Sequence, residues 1–99
     1  MDEASLEALP PEMRARFEVL RQIFAEGLPG RLAEIQNAQS AQDRIAALHR
    51  LAGASGSFGH ATLCDLARQS EHALLNKDDT LFNQILPRLL REIEHILSA

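Results

Sequence analysis

The sequence predicts an all-α protein, an antiparallel up-down four-helix bundle preceded by a short N-terminal helical turn. Apolar residues recur every three or four positions along most of the 99 residues, and no stretch alternates with period two for long enough to suggest a strand. Short polar turns join the amphipathic segments, as in bundles whose neighbouring helices run antiparallel. We find neither an internal repeat nor a linker, and therefore expect a single domain over residues 1–99.

The first long segment follows Pro10-Pro11, which end a leading turn containing Leu6 and Leu9. Pro11 suits the first position of a helix, where its missing N–H costs nothing. Beyond it, one apolar stripe continues through the Pro-Gly pair at 29–30: Met13, Phe17, Leu20, Phe24, Leu28, Leu32 and Ile35. Either one helix kinks at Pro29 or two helices abut there, and the continuous phase of the stripe favours the kinked helix.

Ser40 is the predicted N-cap of the second long segment, with Asp43 in its first turn. Its expected inward face contains Ile45, Leu48, Leu51 or Ala52, Ser55 and Phe58. The helix should end by Gly59, because glycine can adopt the left-handed conformation that follows a helix. The third helix is expected from about His60 to Leu75, with these residues inward: Leu63, Leu66, Ala67, Ser70 and Leu74.

The last segment follows a polar turn, Asn76-Lys77-Asp78-Asp79, in which either aspartate can cap the next helix. A kink is expected at Pro87. The predicted buried side of this helix contains Leu81, Phe82, Ile85, Leu89, Ile93 and Ile96.

Composition and charge exclude several classes of protein. Fourteen acidic residues outweigh ten basic ones, and the net charge of −4 has the wrong sign for binding nucleic acid without sequence preference. The single cysteine, Cys64, cannot form an internal disulfide, which suits a reducing compartment. The N-terminus is acidic where a signal peptide is basic, and no apolar run approaches the roughly 20 residues that cross a bilayer. We therefore expect a cytoplasmic protein that binds neither nucleic acid nor a membrane.

The clearest functional pattern lies in the second helix, around His49. This residue follows the inward-facing Leu48 by one position and should lie on the shoulder of the bundle, partly in water. Gly53 follows His49 by one helical turn and Gly56 by about two, which places both on the same side. A glycine inside a helix costs about 1 kcal/mol relative to alanine. We interpret the two as bare backbone that another macromolecule can approach; the alternative is that they only permit tight helix packing.

The pattern His49-x-Leu51-x-Gly53, with Gly56 and Gly59 after it, resembles the signature of the histidine-containing phosphotransfer (HPt) domain. The resemblance continues through Leu63, Leu66, Gln69 and Glu71, and more loosely over the whole chain as a four-helix bundle. It implies that His49 is phosphorylated, in exchange with an aspartyl phosphate on a response-regulator receiver domain. It also implies that the receiver supplies Mg²⁺ and an acidic pocket, so that this chain binds no cofactor of its own.

The resemblance also assigns roles near His49. Glu71, on the next helix, would hydrogen-bond Nδ1 of the imidazole, which fixes the tautomer and leaves Nε2 as the nucleophile; the alternative is an ordinary exposed glutamate. Many family members have Lys three residues after the histidine, where this chain has Ala52. The candidates to replace that charge are Arg50, Arg68 and Arg44, of which Arg68 is best placed by the resemblance. The expected partner-binding residues are Arg50, Ala52, Gly53, Gly56, Arg68 and Gln69.

The remaining histidines and the cysteine suggest no further site. His60 is expected at a helix N-terminus, where a positive ring is disfavoured, and His72 and His95 on outer or boundary faces. Cys64 suits a packing role. Zinc-finger spacing, a His-Glu-x-x-His run and nucleotide-binding glycine loops are all missing from the sequence, so we expect no metal site and no use of ATP.

The resemblance to the HPt domain implies a phosphorelay intermediate of two-component signalling, working with receiver domains and a hybrid sensor kinase and not as a free-standing catalyst. The main alternative is a non-catalytic helical adaptor that binds a receiver or kinase without accepting phosphate, and Ala52 keeps it open. A fragment of a larger kinase is a weaker alternative. The start at Met1 and the compact end at Ala99 lead us to expect a complete small protein.

Overall fold

The computed structural model describes residues 8–99, which form four helices: α1 (Pro11–Gln36), α2 (Ala41–Ser57), α3 (Ala61–Leu75) and α4 (Asp79–Ser98). Connections of three or four residues make consecutive helices pack side by side and antiparallel. The body measures 45 × 22 × 21 Å. This confirms the predicted four-helix fold, with no strand among residues 8–99. The chain turns at Ala8 and Leu9 ahead of α1, whereas Leu6, also assigned to the leading turn, lies outside the described residues.

The apolar stripe of α1 belongs to one helix, with Pro11 at its start and Pro29 inside it, so two abutting helices are ruled out. Met13 and Leu20 were expected to face the core, but they are exposed. The greater length of α1, which has 26 residues against 17 in α2, accounts for the exposure of Met13 near the start of α1. It does not account for that of Leu20, which lies between Phe17 and Phe24, and both of these pack on Phe58. Phe17 still contacts Phe58 at the end of α2, with 6.1 Å between ring centroids, and the turns of α1 before it extend past that end.

Two helices are capped by side chains at positions predicted from the sequence. Ser40 Oγ accepts a hydrogen bond from the Asp43 N–H at the start of α2, at 3.0 Å. Asp78, rather than Asp79, caps α4 by accepting from the Leu81 N–H, also at 3.0 Å. Gly59, after α2, has φ 79°, the left-handed conformation predicted for it.

Leu81 was expected on the buried side of α4, but it is 41 % exposed. Phe82 faces the core in this turn of the helix, and Ile85 faces the core one turn later. A residue one position before Phe82 is rotated by about 100° around the helix axis, which turns Leu81 towards solvent.

Branched aliphatic side chains fill the centre of the bundle. The large apolar ones that are completely buried are Leu28, Ile35, Leu48, Leu51, Leu63, Leu89 and Ile93. Ser55 of α2 and Ser70 of α3 are also completely buried, and each donates its hydroxyl proton to the carbonyl four residues earlier, at 2.6 and 2.8 Å. These bonds satisfy both hydroxyl groups inside the core, where an unpaired one would cost roughly 1–3 kcal/mol. None of the four helices has the length and apolar character needed to cross a membrane.

His60 is the N-cap residue of α3 and packs on α1. Its ring stacks on Phe24, with 5.3 Å between ring centroids, and its Nε2 atom is buried without a hydrogen-bond partner among residues 8–99. Burial, with a smaller contribution from the positive charge of Arg21, lowers the pKa of His60 from its ordinary 6.5. Burial and Arg21 thus lower the pKa of His60, whereas the sequence predicted a disfavoured positive ring from its position at a helix N-terminus.

This pKa predicts a pH-dependent stability. The unfolded chain binds a proton at His60 more readily than the folded chain does. The contribution of neutral His60 to the free energy of unfolding is therefore complete above the pKa of His60 in the unfolded chain, about 6.5. It declines as the pH falls below that value, until the pH has passed the lower pKa of His60 in the folded chain. We expect urea unfolding to show this decline between about pH 7.5 and about pH 5.5 in the wild type, and a weaker decline in His60→Gln. His95→Gln, which removes an exposed histidine of α4, should keep the wild-type decline; an equal effect of both substitutions would contradict the assignment.

Candidate functional site

Close pairing of α2 with α3 brings His49 and Glu71 together. Leu48 is completely buried, and His49, the next residue, has 77 % of its side chain exposed. On α3, Glu71 follows the completely buried Ser70, and only 17 % of its side chain is exposed. His49 Nδ1 lies 3.1 Å from Glu71 Oε1 and 3.3 Å from Oε2. The expected contact between the next helix and the imidazole is therefore present in the structure.

This geometry selects one form of the neutral ring. An ionised carboxylate can only accept hydrogen bonds, so Nδ1 of His49 must carry the proton and donate a hydrogen bond to Glu71. The lone pair then lies on Nε2, which makes no hydrogen bond to residues 8–99. An imidazole in this state can act as a nucleophile through Nε2, and the carboxylate stabilises the positive charge that grows on the ring during attack.

His49 and Glu71 lie at the edge of an open depression between α2 and α3. It is lined by His49, Ala52, Gly53, Arg68, Glu71, His72 and Leu75. A Cβ atom placed on Gly53 would have no neighbour within 4 Å, so bare backbone lies open beside the imidazole and another macromolecule can approach it there.

Two residues of this depression, His72 and Leu75, were not among the predicted site residues. Both are exposed, Leu75 to 55 %. They share the outer stripe of α3 with Arg68 and Glu71, because these four residues follow one another at spacings of three, one and three. That spacing is the signal in the sequence by which both could have been found.

Arg68 is the cation of this depression. Its side chain is exposed, and it makes no hydrogen bond or ion pair within the part of the chain that the structure describes. The guanidinium group, the imidazole and the carboxylate thus line the same concave surface. No group of three or more metal-binding side chains occurs among residues 8–99.

The other two arginines considered for that charge are committed elsewhere. Arg44 donates to the carbonyl oxygens of Ile35, at 2.9 Å, and Ala38, at 3.4 Å. Its side chain therefore binds carbonyl groups at and just after the C-terminal end of α1. Arg50 forms an ion pair with Glu34 of α1, on a different side of α2 from the depression. Neither guanidinium group is available beside His49. Arg50 does not line the depression beside His49, and its role in partner binding stays a prediction.

Three further residues that were predicted to bind a partner are largely covered or lie outside the depression. Ala52 is only 3 % exposed, so it forms the floor of the depression and offers almost no contact area. Gly56 is half-buried, and a Cβ atom there would lie 3.4 Å from Cys64 Sγ, so this glycine faces α3 in a close helix contact. Gln69 is exposed but does not line the depression.

The chain matches a known protein family. The family model described as Hpt domain matches residues 19–99, which include α2, α3, α4 and most of α1. His49, Glu71 and all the residues that line the depression lie inside the matched region. No curated protein and no solved structure matches the chain.

The His49–Glu71 contact predicts the tautomer of the imidazole. In the wild type, the neutral ring should carry its proton on Nδ1. Glu71→Ala removes the acceptor, so the Nε2–H form should gain population, whereas Glu71→Gln keeps a side-chain oxygen that can accept. Nitrogen-15 chemical shifts of His49, recorded above the pH range in which histidine titrates, distinguish the two forms. Identical shifts in the wild type and Glu71→Ala would show that Glu71 does not orient the ring.

Proposed function

Since the chain belongs to the Hpt domain family, which carries out histidine phosphotransfer in two-component signalling, we propose that it is a phosphorelay intermediate. His49 accepts a phosphoryl group from the aspartyl phosphate of one receiver domain and donates it to the aspartate of another. A hybrid sensor kinase and response regulators are the proposed partners. The proposed location is the cytoplasm, where an unpaired thiol such as Cys64 remains reduced.

The observation that supports this proposal most directly is the state of His49. Its side chain is 77 % exposed, Nδ1 contacts Glu71 at 3.1 Å, and Nε2 has no hydrogen-bond partner in residues 8–99. A histidine with only a structural role has no need of an oriented ring whose second nitrogen is left unpaired. Beside it, the open backbone at Gly53 leaves room for the acidic pocket of a partner.

The proposed reaction needs no chemistry beyond that of the imidazole. The Nε2 lone pair attacks phosphorus, the P–O bond to the receiver's aspartate breaks, and that carboxylate leaves with the bonding electrons as the P–N bond forms. The proton stays on Nδ1, so the phosphorylated ring carries a positive charge opposite the Glu71 carboxylate. The transition state is loose and depends mainly on in-line positioning and charge neutralisation, to which Mg²⁺ on the receiver would contribute. The reverse reaction delivers the phosphoryl group to the second receiver.

Arg68 is the residue that we propose to hold the phosphoryl oxygens. Position 52, where many family members have Lys, is Ala52 here and supplies no charge. The Arg68 guanidinium lies on α3, faces the same depression and has no partner among residues 8–99. Its planar set of donors suits phosphate oxygens. Exposed Leu75, at the other end of the depression, provides the apolar part of the docking surface, with polar residues around it.

Phosphorylation of His49 is tested by incubating the chain with a phosphorylated receiver domain. The wild type should acquire an acid-labile, alkali-stable phosphate, and His49→Gln should not, because it lacks the nucleophilic nitrogen. The matched control is His72→Gln, which removes the other imidazole of the same depression and should still be labelled. Equal labelling of the wild type and His49→Gln would overturn the site assignment.

A binding measurement on the same variants distinguishes a relay from an adaptor. An adaptor would bind the receiver equally well as wild type or His49→Ala, and no receiver would label it. If every receiver domain of the source organism fails to label the wild type while one of them still binds it, the relay proposal is wrong.

Substitution of Arg68 tests the proposed phosphate contact. Arg68→Ala should lower the rate of phosphotransfer about tenfold, since it removes a charge that stabilises the transition state, and Arg68→Lys should recover part of that rate. Arg50→Ala is the control, because it removes an arginine that pairs with Glu34 outside the depression. Single-turnover transfer from a phosphorylated receiver measures all of these rates. Equal rates for Arg68→Ala and Arg50→Ala would remove Arg68 from the mechanism.

A further inference from the structure

The outer face of α1 has exposed apolar side chains that the proposed relay does not use. Val19 and Ile23 are the two most exposed large apolar residues in the part of the chain described, at 59 % and 58 %. They lie one helical turn apart on the side of α1 away from Phe24 and Leu28, which face the core. Burying them would recover hydrophobic free energy that the folded chain alone does not gain.

Opposite charges flank this apolar pair along α1. Arg16 lies three residues before Val19, and Glu26 lies three residues after Ile23. The spacings three, four and three place all four side chains on one stripe of the helix, with the seam spacing of coiled coils. Each of the four is exposed. We refer to Arg16, Val19, Ile23 and Glu26 as the α1 stripe.

The α1 stripe is complementary to itself when reversed. Arg16 and Glu26 are equidistant from position 21, and so are Val19 and Ile23. If a second α1 lies antiparallel, with a twofold axis passing near position 21, each Arg16 meets the Glu26 of the other copy. Val19 then meets Ile23, so apolar contacts lie at the centre and two opposite-charge pairs at the ends. A parallel arrangement in register would place like charges together.

The charged ends of the stripe are available for such contacts. The guanidinium group of Arg16 makes no hydrogen bond or ion pair with any other residue in the range 8–99. Glu26 accepts only a long bond of 3.4 Å from the Gln22 amide, one turn before it on the same helix. Neither charge would have to give up a strong partner when two copies meet.

From this charge and apolar symmetry we infer that the α1 stripe is a self-association surface, whose partner is a second copy of this chain in an antiparallel, twofold arrangement. Such an interface is isologous, so one surface serves both copies. Four side chains over three turns cover much less than the roughly 800 Å² per partner of a stable complex. The dimer is therefore weak and forms only at high local concentration.

The stripe is remote from His49. Glu34 of α1 contacts Arg50, the neighbour of His49. The stripe residues precede Glu34 by 8 residues at Glu26 and by 18 at Arg16, or about 12–27 Å at 1.5 Å per residue. His49 thus remains accessible in both copies, and self-association is independent of the proposed phosphotransfer.

Sedimentation equilibrium of the full chain over a wide concentration range tests this inference. The wild type should show a reversible monomer–dimer equilibrium with a dissociation constant on the order of 100 μM. Arg16→Glu or Glu26→Arg alone places like charges opposite each other at two points and should weaken association about tenfold, whereas the double variant restores both pairs and should recover most of it. Leu97→Ala, at an exposed apolar residue of α4, is the control and should leave association unchanged.

Three results would overturn the inference. They are a wild type that stays monomeric throughout, a double charge reversal as weak as the single ones, and stripe variants that lose binding to a receiver domain without any change in self-association. All the substituted positions are exposed, so circular dichroism and the unfolding midpoint should match those of the wild type.

Discussion

Close packing of α2 against α3 is the constraint on which the site depends. His49 and Glu71 belong to different helices, and a distance of 3.1 Å between their side chains requires both helices to have a fixed separation and register. Small residues at the contact allow this approach. Gly56 faces Cys64, and the buried hydroxyl groups of Ser55 and Ser70 bond to carbonyls of their own helices and need no partner across the interface. Larger side chains here would move the helices apart.

The same packing places buried residues of α2 and α3 directly before the two side chains at the edge of the depression. Leu48 and Ser70 are completely buried, and the residues that follow them in sequence, His49 and Glu71, emerge at the edge of the depression. The contact of His49 Nδ1 with the Glu71 carboxylate restricts the orientation of the imidazole, which reduces the conformational entropy lost when a partner docks. The bundle thus supplies positioning, which is the main requirement of phosphoryl transfer.

The arginines near the site differ in whether their side chains have a partner. Arg44 and Arg50 support the contact of α1 with α2, one through carbonyl groups and the other through Glu34. Arg68 is left without a partner in residues 8–99, beside a buried alanine at position 52. The positive charge that lies next to His49 therefore comes from α3 and not from the helix that carries the histidine.

Local sequence patterns determined the helices, their boundaries and the candidate nucleophile. Ser40, Gly59 and the position of His49 beside Leu48 follow from capping, backbone conformation and helical periodicity, which act over a few residues. The resemblance to a known family added Glu71 on the next helix.

Other features depend on which surfaces meet, and periodicity does not contain that information. The exposure of Met13 follows from the greater length of α1 relative to α2, and the absence of Arg44 and Arg50 from the depression follows from where α1 lies against α2. Periodicity places Leu75 and His72 on one stripe of α3 with Glu71, and the packing of α3 on α2 brings that stripe to the same depression as His49. An isolated helix pattern specifies which residues share a face, whereas the packing of neighbouring helices decides which part of that face is covered and which remains open.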